Sequence, residues 1–254
     1  MADGKIGVLE QLRVEREMGY KGGLYHSSQI EFAYHSNYMD GSTITKDETR
    51  FIYDTYDIVM EGKGAVNAGN IRDVVNHFRG FDYMLDIAGE ELTGEIIREF
   101  HRLLGAGTGN APESLFAIGE YRQLEDTMGG PEATAPEKVP EAIRRLLEAF
   151  NSAINEYPDA KEAARLADII DLNVRLEKIR PFQEGNGRVG RLVMFKECLR
   201  SDVMPFVIED RNKVLYHRGI GRYNSDRALL TRMILHEQDL FRERYERLAI
   251  PAGR

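Results

Sequence analysis

The chain has 254 residues, 42% of them apolar, enough to bury one substantial core or two small ones and typical of a globular protein. Its formal net charge of −8, with a pI near 5.4, argues against a general nucleic-acid binder, whose affinity would rest on a large basic surface. No apolar run approaches the roughly 18 residues of a membrane span, and the opening Met-Ala-Asp-Gly-Lys-Ile lacks a signal peptide's apolar stretch, so no membrane partner and a cytoplasmic location are expected.

In chain order, Asp40-Gly41 reads as a helix stop, and Thr45-Lys-Asp-Glu48 as a capping box that opens a helix over about residues 45–60. Residues 62–69 read as a loop and 93–104 as a further helix. The polar, glycine-rich stretch that follows Gly119-Glu-Tyr-Arg122 and contains Met128, Gly129 and Gly130 reads as another loop. Thr134-Ala-Pro-Glu137 has the form of a capping box with proline in the first turn, leading into an amphipathic helix marked by Val139, Ile143, Leu146, Leu147 and Phe150. A helix over about 161–179 carries Ala164, Ile169, Ile170, Leu172 and Leu176 and feeds into Arg180-Pro-Phe-Gln-Glu-Gly-Asn-Gly-Arg-Val-Gly-Arg191.

After that run, Val189, Leu192, Val193, Phe195 and Leu199 recur at near-helical spacing, and Cys198 among them reads as a buried thiol. A last helix over about 226–248 has Leu229, Met233, Leu240 and Tyr245 on one face, broadened by Leu230, Ile234 and Phe241. Core packing is the expected use of that face, with an oligomer contact as the alternative. The dominant period is therefore helical, and no linker is long enough to force a domain boundary. The six histidines show no spacing suited to a metal and read as scattered surface or core residues.

The glycine-flanked run carries the chemistry. Gly185 and Gly187 let the backbone turn around Asn186 and present consecutive N–H groups to an anion, and the helix after them adds its dipole. Glu184 is placed to hold a divalent cation, since Mg²⁺ takes one or two protein carboxylates and completes its shell with phosphate oxygens and water. Arg188 and Arg191, three apart, fall on one side of the first turn, each able to fork onto phosphate oxygens or a carboxylate. For Gly-Asn-Gly alone an ordinary loop is the better reading; Glu184, Arg188 and Arg191 reverse it.

Here the sequence resembles the Fic family, whose signature is HxFx(D/E)GNGRxxR and whose best-known reaction moves AMP from ATP onto a protein hydroxyl. Phe182, Glu184, Gly185, Asn186, Gly187, Arg188 and Arg191 match, and Arg180 stands in place of the histidine. The resemblance implies an all-α Fic-type fold with a small β-hairpin flap. It gives Phe182 the anchoring of the loop, Glu184 the metal, and Gly185, Asn186, Gly187, Arg188 and Arg191 the phosphates. It also implies ATP and Mg as ligands and a hydroxyl-bearing protein as target. Ser36-Asn-Tyr-Met-Asp40-Gly41 is similar to the family's inhibitory motif, (S/T)xxxE(G/N), in which a glutamate pairs with the second arginine; Asp40 stands at that position, one methylene shorter. Gly119-Glu-Tyr-Arg122 resembles the segment before the flap, whose tip would be Met128, Gly129 and Gly130 and would dock a target segment by strand addition. Asn173 stands where relatives often carry histidine. The expected organisation is a helical lobe over 1–90 with the inhibitory-like segment, a Fic core over 91–215 and a C-terminal helix over 216–254, packed as one unit.

Arg180 bears on activity, because a guanidinium stays protonated and offers donors only, so it cannot take the histidine's role as base. It can place positive charge against a phosphoryl group or leaving oxyanion. Loss of a general base costs about 10²–10⁴ in rate. Three readings follow. One is an AMP transferase weakened by Arg180 and restrained by Asp40; the second is a catalytically inactive nucleotide-binding regulatory module. The third is a phosphodiester hydrolase that removes AMP from a modified protein, with Asp40 orienting a water. The catalytic candidates are Arg180, Glu184, Asn186 and Arg188.

Overall fold

The structure, a computed structural model, describes residues 5–57, 67–107, 117–126 and 134–250. Among the described residues are ten α-helices and no β-strand: α1 (Val8–Met18), α2 (Leu24–Met39), α3 (Lys46–Thr55), α4 (Ala68–Asp86), α5 (Gly94–Gly105), α6 (Val139–Glu156), α7 (Glu162–Ile179), α8 (Asn186–Arg200), α9 (Lys213–Arg222) and α10 (Arg227–Leu248). The all-α class is as expected. The flap tip at Met128, Gly129 and Gly130 lies outside the described residues, as does most of the loop expected over 62–69.

Local chemistry sets the helix ends. Thr45 Oγ1 accepts the Glu48 N–H at 3.3 Å while Glu48 Oε2 accepts the Thr45 N–H at 2.7 Å, so the capping box at α3 is formed. Thr93 and Asp226 cap α5 and α10 in the same single-residue manner. The start of α2 is capped from another helix, because buried Glu15 on α1 accepts the Tyr25 N–H at 2.8 Å. The capping box expected at Thr134–Glu137 does not form. Thr134 instead gives its carbonyl to Arg122 Nη2, and a 3-10 turn at Pro136–Lys138 leads into α6, which has Pro140 in its first turn.

One apolar cluster draws buried residues from α1, α2 and every helix from α4 to α10. α8 runs through its middle, with every residue from Val189 to Leu199 buried. A helix buried on all sides has no amphipathic stripe, and even Lys196 and Glu197 are enclosed, paired to each other at 2.7 Å. Phe195 is the aromatic hub, with ring centroids 5.4 Å from Phe32 on α2, 5.3 Å from Phe81 on α4 and 5.7 Å from Phe241 on α10. The buried face of α10 is centred on Leu230, Met233, Ile234 and Phe241, while Leu229, Leu240 and Tyr245 are only partly buried. That shift from the expected face has a polar cause: Glu237 and Gln238 are also buried, the first accepting from Glu209 N and Asn212 Nδ2, the second donating to Met204 O.

Because Phe195 joins four helices, truncation leaves a cavity that no single helix can close. Phe195→Ala is expected to lower unfolding stability by about 3–5 kcal/mol, read from a shifted urea midpoint at unchanged slope. A loss under about 1 kcal/mol would show that the neighbours repack.

Candidate nucleotide site at the start of α8

The loop between α7 and α8 is closed by two left-handed residues. Arg180 ends α7 at φ 48° and Gly185 precedes α8 at φ 76°. The second is free of strain only because it is glycine. Between them Phe182 is fully buried, its ring stacked on His101 of α5 at 3.9 Å and 9°. Asn186 then binds back across the turn: its Oδ1 accepts the Phe182 N–H at 2.9 Å and its Nδ2 donates to the Phe182 carbonyl at 2.7 Å. The Asn186 side chain is therefore spent on shaping the loop, and what the segment offers an anion is backbone. No side chain caps α8, so its first N–H groups keep the orphan-donor character of a helix N-terminus.

Both arginines of the run reach across to other helices. Arg191, 2% exposed, donates from Nε to Ser36 Oγ at 2.9 Å and from Nη2 to the Ser36 carbonyl at 2.9 Å and to Asp40 Oδ1 at 3.2 Å. The shorter carboxylate thus spans the gap, because Asp40 is the C-cap of α2 and Gly41, at φ 99°, turns the chain away immediately after it. Arg188 donates from Nη1 to Asp73 Oδ1 on α4 at 2.6 Å. Its Nε stands 3.2 Å from Asp40 Oδ2 without the alignment of a hydrogen bond. Two cations are matched by two carboxylates at the mouth of the nest. Glu184, by contrast, is exposed, and its carboxylate enters no ion pair among the described residues, so it is open to a cation.

Arg180 is turned the other way. Its Nε donates to Asp126, and its carbonyl accepts Arg122 Nε at 2.7 Å. Arg122 also donates to the Leu124 carbonyl at 3.0 Å and to that of Thr134, and its own N–H bonds the Pro181 carbonyl at 2.8 Å. The segment on both sides of the expected flap is stitched to the motif loop by one arginine and one ion pair.

Three further groups lie near the nest, and the sequence singles out only Asn173 among them. Asn173 on α7 is fully buried, donates to the Tyr216 hydroxyl of α9 at 2.9 Å, and lies so near α8 that a Cβ on Gly190 would stand 2.5 Å from its Oδ1. That contact explains the glycine at position 190. Glu177, one turn further along, keeps a buried Oε1 with no hydrogen-bond partner among the described residues, and burial pushes its carboxyl above the usual range despite Arg191 and Arg180. His101 is not the scattered residue its spacing suggested: besides stacking on Phe182, its Nδ1 accepts the Gly119 N–H at 2.9 Å. The His35 ring is hydrogen-bonded to Glu31 and Asp210, away from the nest.

Comparisons with known proteins agree with this geometry. Residues 91–198 match the Fic/DOC family, and the uncapped turn, Phe182 anchor and paired arginines lie within that span. Over residues 91–198 the chain carries a Fic-type domain. It is 26% identical over 196 residues to Protein adenylyltransferase Fic of Nematostella vectensis, covering 77% of this chain and 43% of that one. It is 27% identical over 201 residues to the protein of the same name from Drosophila willistoni, covering 77% and 37%. The chain thus spans less than half the length of these curated relatives. Among solved structures it resembles a Fic domain containing signaling protein from Bacteroides thetaiotaomicron, with TM-score 0.71, 18% identity and 94% of both chains covered. It also resembles Fic-1 of C. elegans, with TM-score 0.67, 17% identity and 94% and 71% covered.

Fully buried His77 and half-buried His101 are expected to make the fold sensitive to acid. Burial, then Arg191 and Arg188, hold His77 down to about 3, and burial with Arg188 holds His101 down to about 4. Unfolded histidine takes its proton near pH 6.5. The stabilisation is therefore complete above about pH 6.5 and is lost as pH falls toward 3–4. The melting temperature should fall between pH 7 and pH 5, and His77→Leu should shrink that fall. Equal melting at both pH values would rule the effect out.

Proposed function

We propose that the chain binds a nucleoside triphosphate with Mg²⁺ at the start of α8 and transfers AMP from ATP to a hydroxyl of a protein target, slowly and under restraint by Asp40. The observation that carries this reading is the convergence of Ser36 and Asp40 on Arg191 beside an uncapped nest. The names of the curated relatives, protein adenylyltransferase Fic, support the transferase class.

The residues divide the work. The N–H groups at the start of α8, with Arg188 and Arg191, take the phosphates. Glu184, exposed and unpaired among the described residues, fits a single protein carboxylate on Mg²⁺, which would neutralise phosphate charge. Asp40 competes with phosphate oxygens for Arg191, so productive binding requires it to let go. Gly185, Asn186 and Gly187 hold the turn, and Phe182 holds the turn in the core.

Arg180 supplies charge. Its Nε is fixed on Asp126, and its guanidinium has no lone pair with which to accept the hydroxyl proton. His101 is no substitute, because Nδ1 already accepts from Gly119 and the ring lies flat on Phe182. Catalysis then rests on positioning and electrostatics, which dominate phosphoryl transfer, without the factor of about 10²–10⁴ that a base supplies. The same observation favours a second reading, a regulatory module that binds nucleotide without turnover.

Mg²⁺-dependent transfer from α-labelled ATP to the chain and to a cell lysate separates the two. Weak labelling by the unaltered chain, stronger with Asp40→Gly and stronger again by about 10²-fold or more with Arg180→His added, is the expected pattern. Binding of MgATP with no label from any of the three would favour the module. Release of AMP from modified protein, lost in Asp40→Ala, would favour hydrolysis.

A further inference from the structure

Arg188 has a carboxylate partner outside the inhibitory segment. Asp73 lies in the second turn of α4, a 19-residue helix packed against α2, α3, α5 and α8. Its Oδ1 takes the Nη1 hydrogen of Arg188 at 2.6 Å, and both side chains are largely enclosed, 21% and 15% exposed. Asp40 differs in every respect that governs mobility. It caps the last turn of α2 before a left-handed glycine, is 34% exposed, and touches Arg188 only through the unaligned Nε contact.

We propose that Asp73 is a positioning residue for the phosphate-binding arginine, holding the Arg188 guanidinium at the nest when Asp40 withdraws. The proposal rests on the reading of the nest as a phosphate site. A guanidinium offers five N–H donors. With Nη1 on Asp73, the opposite edge stays turned to the loop, where Arg188 Nη2 lies 3.7 Å from the point a Cβ on Gly185 would occupy. A phosphate in the nest meets that edge without displacing Asp73.

Without Asp73, departure of Asp40 would leave a largely buried cation with no carboxylate partner among the described residues. Its neighbours cannot replace the pair. His77, one turn along α4, and His101 are both held neutral at physiological pH, and a neutral imidazole balances no charge. Asp40 and Asp73 therefore act with opposite sign on nucleotide affinity although both bind the same arginine. Asp40 occupies donors a phosphate needs; Asp73 occupies a donor a phosphate does not need and aims the rest.

The sign is what the test reads. Calorimetric titrations of MgADP and of adenosine would be made with the whole chain, Asp73→Asn, Asp73→Glu, Asp40→Gly and the Asp40→Gly/Asp73→Asn pair. Asp40→Gly is expected to tighten MgADP binding. Asp73→Asn is expected to weaken it about tenfold, in both backgrounds, the size of one charge-assisted hydrogen bond lost from an oriented arginine. Adenosine affinity should be unchanged, and Asp73→Glu should recover part of the loss.

Tighter MgADP binding by Asp73→Asn would make Asp73 a second blocker and overturn the proposal. Unchanged MgADP affinity, or an equal loss for adenosine, would overturn it as well, the latter by showing a general structural role. If no variant bound MgADP, Asp40→Gly included, the phosphate reading of the nest would fall and this inference with it.

Discussion

The compensation of Arg188 and Arg191 by Asp40 and Asp73 is the contact on which the site depends. Two guanidiniums at the N-terminal end of a buried helix add to the dipole's positive charge, and in a low-dielectric surround they would repel each other strongly if left alone. The fold supplies one carboxylate from α2 and one from α4, and the Ser36 hydroxyl and carbonyl take Nε and one hydrogen of Nη2 of Arg191, leaving Nη1 buried without a partner among the described residues. Two positive charges are therefore present in the folded chain, held by internal anions. Under the proposed function, nucleotide binding would exchange one anion for another rather than bury a new charge.

The surrounding structure holds the two arginines from several sides. α8 carries both arginines, and its residues from 189 to 199 are buried, packed through Phe195 and the Lys196–Glu197 pair. Gly190 lets α7 approach close enough for Asn173 to touch α8 and tie in Tyr216. On the other side of the loop, Arg122 and the Arg180–Asp126 pair tie the 122–126 segment to the motif. Arginine at position 180, where the Fic signature has histidine, thus offers no proton acceptor and instead ties the 122–126 segment to the motif loop. A guanidinium fits that use, since it keeps its charge at any physiological pH and forms forked bonds.

Much of the site was readable from residue order. The left-handed Gly185, the helix that starts at Asn186 and the burial of Phe182 follow from a short run, and a distant six-residue segment named Asp40 as a partner for Arg191 whose reach only the structure gives. Four helices were not legible as such, for a physical reason. α2 buries Ser28, Gln29, Glu31, His35, Ser36 and Asn37 among its apolar residues, so it lacks the apolar stripe that periodicity detects. α1 likewise buries Gln11 and Glu15. In each the buried polar groups are spent on tertiary work, such as Glu15 capping α2 and Ser36 holding Arg191, and only the partners reveal it. Asp73 and His101 escaped for the same reason: each acts on a residue far away in the chain, and no local pattern marks it.

The central claim is that Asp40 and a polyphosphate compete for Arg191. Hydrogen–deuterium exchange over residues 36–42, with and without saturating MgATP, tests it most directly. Faster exchange in that segment on nucleotide binding, with protection at the start of α8, is the expected result, because releasing Asp40 loosens the last turn of α2. Unchanged or slower exchange over 36–42 while α8 becomes protected would contradict it, since nucleotide would then bind with Asp40 still on the arginine.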